Sequence, residues 1–288
     1  MRPVPTHRAD RPLGRVAILG LGLMGGSVAR GISGLQLANR VVGWSPRSTE
    51  RDAALTTGAL TLAAGEWREA VADAELVVLA APLEASCRLL EGVSEAAPAE
   101  ATITDVASLK MPLAEVADRC GASDRWVGSH PMAGREVSGF WASRADLFEG
   151  ARVWTVSCGA DPERVRLVES LWSALGARPV AIEAQAHDRL MASVSHLPQL
   201  VANALAEVLE QAGVDASLLG PGGRDMTRLA ASSPEMWAPI LAHASPVLVG
   251  GLKGVAESLR RLAERVEAGD ADAIGEVMAR TRGWRDRA

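Results

Sequence analysis

A glycine-rich turn near residue 20 has the residue types and the spacing that bind a dinucleotide. Gly20, Gly22 and Gly25 follow an apolar run, and Leu23 and Met24 stand at the start of a helical stretch. The first glycine permits a tight turn, the second lets a diphosphate approach the main chain, and the third lets helix and strand pack closely. Unpaired N–H groups in the first helical turn hold the diphosphate. The motif therefore predicts a dinucleotide site, and the alternative is a plain strand-to-helix turn.

The residues after the second predicted strand bear on the choice of cofactor. Enzymes that use NAD+ usually carry an acid there, which accepts hydrogen bonds from the adenosine ribose. Here Ser45, Arg47 and Ser48 follow the strand, and no acid stands at its end. These side chains offer donors, and Arg47 a positive charge, where a 2′-phosphate would lie. We therefore expect NAD(P)+ as cofactor with NADP+ favoured over NAD+; the alternative is that Arg47 is simply an exposed loop residue.

His130 is the candidate general base. It directly follows a predicted strand, Trp126–Ser129, and doubly wound folds bind their ligands at the carboxyl ends of the strands. An imidazole is also the side chain best suited to take a proton from an alcohol near neutral pH. The alternative is a structural histidine at the end of a strand.

The elements that must position these residues alternate between short β-rich runs and helical stretches. This pattern predicts an α/β fold, a Rossmann-like doubly wound sheet wrapped by helices. A helix follows the glycine turn to about Leu35, another spans Asp161 to about Leu175, and Met132 to Gly150 is expected to be a mobile loop near the site. The predicted strands are 15–19, 40–44, 76–80, 102–105, 126–129, 152–157 and 178–182.

After Glu183 the strand signals stop and Ala, Leu and Val recur at helical spacing. One long helix is predicted from Ala184 to Gln211, and Ser233-Pro234-Glu235 has the capping residue, proline and acid of a helix start. The expected domains are a flexible tail over 1–14, a dinucleotide-binding domain over 15–183, and an all-helical substrate and dimerisation domain over 184–288. Because helices with few aromatic residues make a thin core, we expect a homodimer formed through the helical half.

Composition narrows the function classes. The chain has 288 residues, a formal net charge of -5 and three cysteines without metal-ligand spacing. The negative charge predicts no basic surface for nucleic acid. The apolar runs are too short to span a membrane, and the cysteine spacing predicts no metal site. We expect a soluble protein of the reducing cytoplasm that acts on a small molecule.

Several motifs in order resemble the prephenate/arogenate dehydrogenase family of tyrosine biosynthesis, and the resemblance covers nearly the whole chain from about Arg15. They are the strand and glycine turn, Asp105–Lys110, His130–Gly134 with Glu136 and Gly139, His187-Asp188, Ser195–Pro198 and Arg224–Arg228. The resemblance implies oxidative decarboxylation of prephenate or arogenate with hydride transfer to NAD(P)+, giving 4-hydroxyphenylpyruvate or tyrosine. It also implies that His130 is catalytic, and that Ser108 orients the histidine and touches the nicotinamide. A helix cap is the other role considered for Ser108, and it is compatible with the first.

The substrate-binding residues that the resemblance implies are Arg228, Arg224, His196, Gln199 and Glu136. Arg224 and Arg228 lie one helical turn apart, and guanidinium groups grip carboxylates well, although a solvated charged face is the alternative. His196 and Gln199 share one helical face with Asn203; core hydrogen bonds are the alternative there. Many relatives have histidine at position 199 and Thr or Ser at 135, where this chain has Gln199 and Arg135. Prephenate and arogenate therefore both stay open.

Two other functions compete with this one. A β-hydroxyacid dehydrogenase also joins a Rossmann domain to a helical one, but it usually relies on a lysine in the helical domain. A dinucleotide-sensing dimer without enzymatic activity would have no reason to keep His130, Ser108 and the two arginines together. Turnover with prephenate, arogenate and a 3-hydroxyacid, each with NAD+ and NADP+, discriminates among the three.

Overall fold

A computed structural model describes residues 12–134 and 137–287. Eight strands form one sheet in the order β3-β2-β1-β4-β5-β6-β7-β8. Every neighbouring pair is parallel except β6 and β7, which are antiparallel. The doubly wound α/β prediction is confirmed. The strands are β1 (Leu13–Leu19), β2 (Ala38–Trp44), β3 (Leu62–Ala63), β4 (Leu76–Leu79), β5 (Thr102–Asp105), β6 (Trp126–Pro131), β7 (Arg152–Val156) and β8 (Arg178–Ala181).

The strand ends differ from the predicted ones at several places. β1 begins at Leu13, inside the segment expected to be a tail, and residues 1–11 of that segment lie outside the described residues. β6 continues through His130 to Pro131, because its main chain pairs with β7. β3 has only two residues, too few to leave a strand pattern in the sequence.

Alternate residues along the strands enter two separate hydrophobic clusters. Val16 and Ile18 belong to one cluster, whereas Ala17 and Leu19 belong to the other. Because successive side chains of a strand point to opposite faces, the sheet is covered on both sides. The helices that cover it are α1 (Leu23–Gly34), α2 (Ser48–Thr56), α3 (Trp67–Val71), α4 (Leu83–Ala96), α5 (Met111–Arg119) and α6 (Pro162–Ala174).

The connection after β6 packs in part against the core. Phe140 begins a short 3₁₀ helix and is buried with Phe148. The main-chain N–H of Arg144 donates to the hydroxyl of Ser27 in α1 over 3.0 Å. Part of the segment from Met132 to Gly150 therefore packs on the core through Phe140 and Phe148, whereas Trp141 is 76% exposed. The mobility of the segment stays a prediction.

The chain packs as two compact units. The first runs up to Met191 and also takes in Ala231–His243; the second contains Ala192–Ala230 and the chain from Ala244 onward. The predicted long helix forms as α7 (Ala184–Met191), a π-helical turn over Ala192–His196, and α8 (Leu197–Gln211). Nothing in the hydrophobic pattern indicates the π turn or the return of 231–243 to the first unit. The remaining helices are α9 (Pro221–Thr227), α10 (Pro234–Ala242), α11 (Pro246–Glu267) and α12 (Ala271–Arg285).

The helices of the second unit bury little of themselves. None of the residues of α12, all of which are described, is buried, and in α11 only Leu248 is. Within the described residues no single helix is long and apolar enough to cross a bilayer; α10 and α11 meet that test of length and composition only when joined as a bent pair.

Candidate active site

The glycine turn lies where the strand order reverses, because β1 is flanked by β2 on one side and β4 on the other. Gly20 has φ +105°, and a Cβ there would lie 2.4 Å from the main-chain oxygen of Ala80. A Cβ on Gly25 would lie 1.9 Å from the oxygen of Gly20. Both positions therefore require glycine, one for conformation and one for close packing of α1 on the turn.

Gly22 differs from its two neighbours, since a Cβ there would meet nothing within 4 Å. It precedes α1, whose first residues Leu23 and Met24 present main-chain N–H groups without helical partners. No acidic side chain occupies the first turn of α1. The main chain is therefore open at the N-terminus of α1, and this turn lies at the switch point of the sheet. Both features fit a dinucleotide diphosphate.

An acid lies beyond β2 in the chain, although none stands at the strand end itself. Glu50, in the first turn of α2, accepts a hydrogen bond from the hydroxyl of Ser45 over 2.6 Å. It also accepts one from the guanidinium of Arg47 over 3.0 Å. The hydroxyl of Ser45, which is 1% exposed, is thus committed to Glu50. Arg47 has a side chain that is 73% exposed, and Ser48 is also exposed.

His130 stands on β6 next to a second histidine. Its Nδ1 lies 2.9 Å from Nε2 of His187 in α7, and the two rings meet edge to face with centroids 5.1 Å apart. Nδ1 of His187 in turn lies 2.7 Å from Oδ1 of Asp188. His187 is fully buried, whereas His130 is half-buried. Three titratable side chains from two elements therefore form one hydrogen-bonded series.

Asp188 also caps helix α5. Its Oδ1 accepts from the main-chain N–H of Lys110 over 2.8 Å, and its Oδ2 accepts from that of Met111 over 2.9 Å. These N–H groups begin α5, and a carboxylate favours a helix N-terminus. The cap role considered for Ser108 is thus filled by Asp188. Ser108 itself is half-buried in the segment between β5 and α5.

A buried ion pair spans the segment that carries Ser108. The ammonium of Lys110 binds Oδ1 of Asp105 and the main-chain oxygen of Ser129, the latter over 2.7 Å. Both side chains have 0% exposure. Burial raises the pKa of Asp105 above its ordinary value, and Lys110 opposes that shift. Burial likewise lowers the pKa of Lys110, and Asp105 opposes that shift.

The substrate-binding candidates in the second unit fall into two groups. His196, the last residue of the π turn, and Gln199 are buried at 2% and 3% exposure. The amide nitrogen of Gln199 donates to Asn203 Oδ1 over 2.8 Å and to the main-chain oxygen of Leu229 over 2.7 Å. Both donors of Gln199 therefore serve the protein, and one holds the residue that follows Arg228.

Arg224 and Arg228 are both exposed. α9 ends at Thr227, and a short 3₁₀ helix begins at Arg228. The spacing of the two arginines predicts that they share one α-helix, but α9 ends before Arg228. Glu136, the remaining candidate, and Arg135 lie outside the described residues.

Comparison with known proteins decides the family. The nucleotide-binding domain of prephenate dehydrogenase matches residues 28–181, and the dimerization domain of prephenate dehydrogenase matches residues 183–280. The chain belongs to the prephenate dehydrogenase family. It is therefore an oxidoreductase with a nicotinamide cofactor, and the resemblance noted in the sequence is confirmed.

Individual relatives agree with this assignment. Prephenate dehydrogenase of Bacillus subtilis is 30% identical over 278 residues, which cover 94% of this chain and 75% of that protein. Cyclohexadienyl dehydrogenase of Zymomonas mobilis is 28% identical over 265 residues, covering 89% and 90% of the two chains. The crystal structure of Aquifex aeolicus prephenate dehydrogenase with hydroxyphenyl propionate and NAD+ superposes with a TM-score of 0.88. It is 27% identical and covers 96% of this chain and 98% of that one.

Sequence reasoning assigned no role to His187, Asp188, Lys110 or Glu50. His187 and Asp188 stood within the motifs of the resemblance, but helical spacing cannot show that a residue on α7 reaches a strand far away in sequence. Lys110 followed Asp105 by five residues across a turn, which is no regular spacing of a helix or strand. Glu50 lies five residues after Ser45, beyond the strand end where the ribose-binding acid usually stands.

Proposed function

We propose that this family member catalyses the oxidative decarboxylation of prephenate or arogenate in tyrosine biosynthesis, with His130 as the general base. Hydride leaves the ring carbon that bears the hydroxyl, the ring carboxylate departs as CO2, and the ring becomes aromatic. The observation that carries the proposal is the position of His130 on β6, held by His187, in a chain whose two halves match the two domains of the family.

The chemistry assigned to His130 balances without an added acid or base. Its imidazole accepts the proton of the ring hydroxyl as a carbonyl develops at that carbon. Loss of CO2 returns an electron pair to the ring, and the oxygen takes the proton back from His130 to become a phenol. When bound, the nicotinamide supplies the hydride acceptor. The chain thus needs one group that can take and return a single proton near neutral pH.

Ser108 is proposed to contact both reacting partners. It lies in the segment between β5 and α5, whose ends are fixed by the Asp105–Lys110 pair and by the Asp188 cap. A hydroxyl on so fixed a segment can orient the histidine and the nicotinamide with little loss of conformational entropy. This role is taken from the family motif. The first N–H groups of α5 are capped by Asp188 and not by Ser108.

Arg228 is proposed to bind a substrate carboxylate, with Arg224, His196, Gln199 and Glu136 as further substrate contacts. The guanidinium fork matches a carboxylate in a bidentate way. The support is the family motif together with the exposure of Arg228 and the bond from Gln199 to Leu229, which fixes the neighbouring main chain. A guanidinium–carboxylate contact does not involve the amino or keto group of the side chain, so the proposal covers prephenate and arogenate as alternative substrates.

The second part of the proposal is a small preference for NADP+ over NAD+. Arg47 and Ser48 are exposed donors beyond β2, and a 2′-phosphate would gain charge-assisted hydrogen bonds from them. Glu50 limits this preference, because its carboxylate already holds Arg47 and would repel the phosphate. Screening by solvent at so exposed an arginine limits it further.

A homodimer of the second unit is also proposed. The match to a dimerization domain supports it, as do exposed apolar side chains on the poorly buried helices. Examples are Val208, Leu259 and Met278, at 62%, 60% and 66% exposure. The three cysteines are free thiols, which supports a reducing cytoplasm as the compartment.

The test is a spectrophotometric assay of NADH and NADPH formation with prephenate, with arogenate and with a 3-hydroxyacid. We expect turnover with at least one of the first two and none with the hydroxyacid. Turnover of the hydroxyacid alone would identify a β-hydroxyacid dehydrogenase. Cofactor binding without turnover of any substrate would favour a dinucleotide sensor.

A further inference from the structure

The series His130, His187 and Asp188 has a fixed direction of hydrogen bonding. An ionised carboxylate can only accept, so Nδ1 of His187 must carry the hydrogen that it shares with Asp188 over 2.7 Å. In a neutral imidazole only one nitrogen is protonated, so Nε2 of His187 is then an acceptor. Nδ1 of His130, 2.9 Å away, must therefore be the donor of the next bond.

The direction of these bonds also fixes the reacting nitrogen of His130. A neutral His130 that carries its hydrogen on Nδ1 has its lone pair on Nε2. This is the tautomer that a general base needs if the substrate hydroxyl is to be deprotonated at Nε2. We propose that His187 and Asp188 are positioning residues that fix His130 as its Nδ1–H tautomer and thereby keep Nε2 ready to accept the substrate proton. The inference rests on the proposed role of His130.

Burial and the contacts of Asp188 keep the hydrogen-bond partners of the series in place. His187 has 0% exposure, so no water replaces His130 or Asp188 as its partner. Asp188 is held by the N–H groups of Lys110 and Met111 at the start of α5. Its carboxylate therefore cannot rotate away without leaving a helix end uncapped. Among the charged groups near the series, Lys110 is paired with Asp105 and also binds the main-chain oxygen of Ser129. Glu183 and Arg189 stand on either side of His187 and Asp188 in sequence.

The series also stabilises the imidazolium that forms when His130 accepts the substrate proton. When His130 takes the substrate proton it becomes an imidazolium, and its Nδ1–H bond to His187 becomes charge-assisted. Nε2 of His187 can accept that bond because Asp188 holds the hydrogen of His187 on Nδ1. The series therefore acts on the transition state, where charge develops on His130, more than on substrate binding.

Two variants at one position separate this role from simple packing. His187→Leu fills the buried space but offers no acceptor to Nδ1 of His130. His187→Gln places an amide oxygen near the former Nε2, and that oxygen can accept. We expect kcat to fall about 100-fold or more in His187→Leu, the order of effect that a lost general base produces. His187→Gln should stay within about tenfold of the wild type, with KM for substrate little changed in both.

Asp188→Asn tests the direction of the series rather than its charge. The position of Oδ1 faces two donors, His187 and the N–H of Lys110, whereas Oδ2 faces only that of Met111. An asparagine would therefore turn its oxygen towards His187 and keep the tautomer. We expect its kcat to fall less than that of His187→Leu.

Nitrogen-15 NMR of histidine-labelled protein gives a readout that does not depend on turnover. In the unliganded wild type, Nδ1 of His130 should resonate as a protonated nitrogen and Nε2 as an unprotonated one, with the signals assigned by their loss in His130→Asn. His187→Gln and Asp188→Asn should keep this pattern, and His187→Leu should lose it. Thermal unfolding identifies any variant that fails to fold.

Failure of the positioning role and failure of the proposed function give different results. The positioning role is overturned if unliganded His130 carries its hydrogen on Nε2, or if folded His187→Leu keeps a wild-type kcat. It is also overturned if His187→Leu and His187→Gln lose the same activity. Absence of turnover with prephenate and arogenate in the wild type would instead overturn the proposed function, while the NMR measurement would still decide the tautomer.

Discussion

Lys110 and Asp105 form a fully buried ion pair that closes the six-residue segment carrying Ser108. Asp105 ends β5, accepts from Trp126 Nε1 over 3.1 Å, and accepts from the main chain of Ala107 over 2.8 Å. Lys110 reaches the main-chain oxygen of Ser129, the residue before His130. One ion pair therefore holds the main chain on both sides of Ser108 and at the residue before His130.

Removal of one partner of this pair should destabilise the protein strongly. Lys110→Met leaves the carboxylate of Asp105 buried without a counter-charge, and breaking a buried pair in this way costs about 3–5 kcal/mol of unfolding free energy. The measurement is the urea midpoint of unfolding followed by far-ultraviolet circular dichroism. The double variant Asp105→Asn/Lys110→Met should be more stable than Lys110→Met alone, since no unpaired charge remains. Equal midpoints for Lys110→Met and the wild type would contradict this account.

His130→Asn should bind cofactor normally and lose turnover. Asparagine keeps a polar side chain but cannot take a proton at neutral pH, and loss of a general base lowers kcat by about 100-fold or more. The measurements are kcat and the dissociation constant of the cofactor. His243→Asn is the matched control, because His243 is exposed at the end of α10. Near-normal kcat in His130→Asn would remove His130 from the mechanism.

The strands and the glycine turn were predictable because their signals are local. β4 lies in an unbroken apolar run that ends before Pro82, and all four of its residues have 0% exposure. The turn at Gly20 is set by three glycines within six residues. Such patterns depend on residues that are neighbours in sequence, and the structure keeps them.

The contacts that complete the site join residues far apart in sequence. His130 and His187 are 57 residues apart, and Lys110 and Asp188 are 78 apart. A lone histidine on a helix gives no sign of its partner until the topology of the sheet is known. The position of Glu50 is unpredictable for a different reason: it lies in the first turn of α2 and not at the strand end, and only the structure shows that it bonds to Ser45.

Arg228→Lys should raise KM for the substrate by about tenfold or more and leave that for cofactor nearly unchanged. Lysine keeps the charge but loses the bidentate fork, and a charge-assisted hydrogen bond contributes about 1.5–3 kcal/mol. Arg282→Lys is the control, because Arg282 is exposed on α12 and lies 3.7 Å from Asp286. A change confined to the KM for cofactor would move Arg228 out of the substrate pocket.

The second unit should hold two copies of the chain together at micromolar concentration. Exposed apolar side chains on its weakly buried helices become covered if two chains pair in one large interface. Light scattering should give a mass near twice 30.1 kDa. The midpoint of thermal unfolding should also rise with protein concentration, because unfolding is then coupled to dissociation. A monomer mass that does not change with concentration would refute the dimer.

The cofactor prediction concerns the opposed effects of Arg47 and Glu50. Arg47 should attract the 2′-phosphate of NADP+, whereas Glu50, 3.0 Å from its guanidinium, should repel it. We expect the wild type to bind NADP+ about three- to tenfold more tightly than NAD+. The relevant ratio is the dissociation constant of NAD+ divided by that of NADP+. Arg47→Ala should lower this ratio below one, and Glu50→Gln should raise it by about tenfold.

The variant Ser45→Asp, which would restore an acid at the strand end, is a poorer test in this chain. Its carboxylate would be buried against that of Glu50, since the hydroxyl of Ser45 lies 2.6 Å from Glu50 Oε2. Two carboxylates so close cannot both ionise without strong repulsion. Titration calorimetry with each cofactor is therefore best applied to Arg47→Ala and Glu50→Gln. If Glu50→Gln leaves the ratio unchanged, Glu50 does not face the bound ribose; if the wild type prefers NAD+, Arg47 serves only to neutralise Glu50.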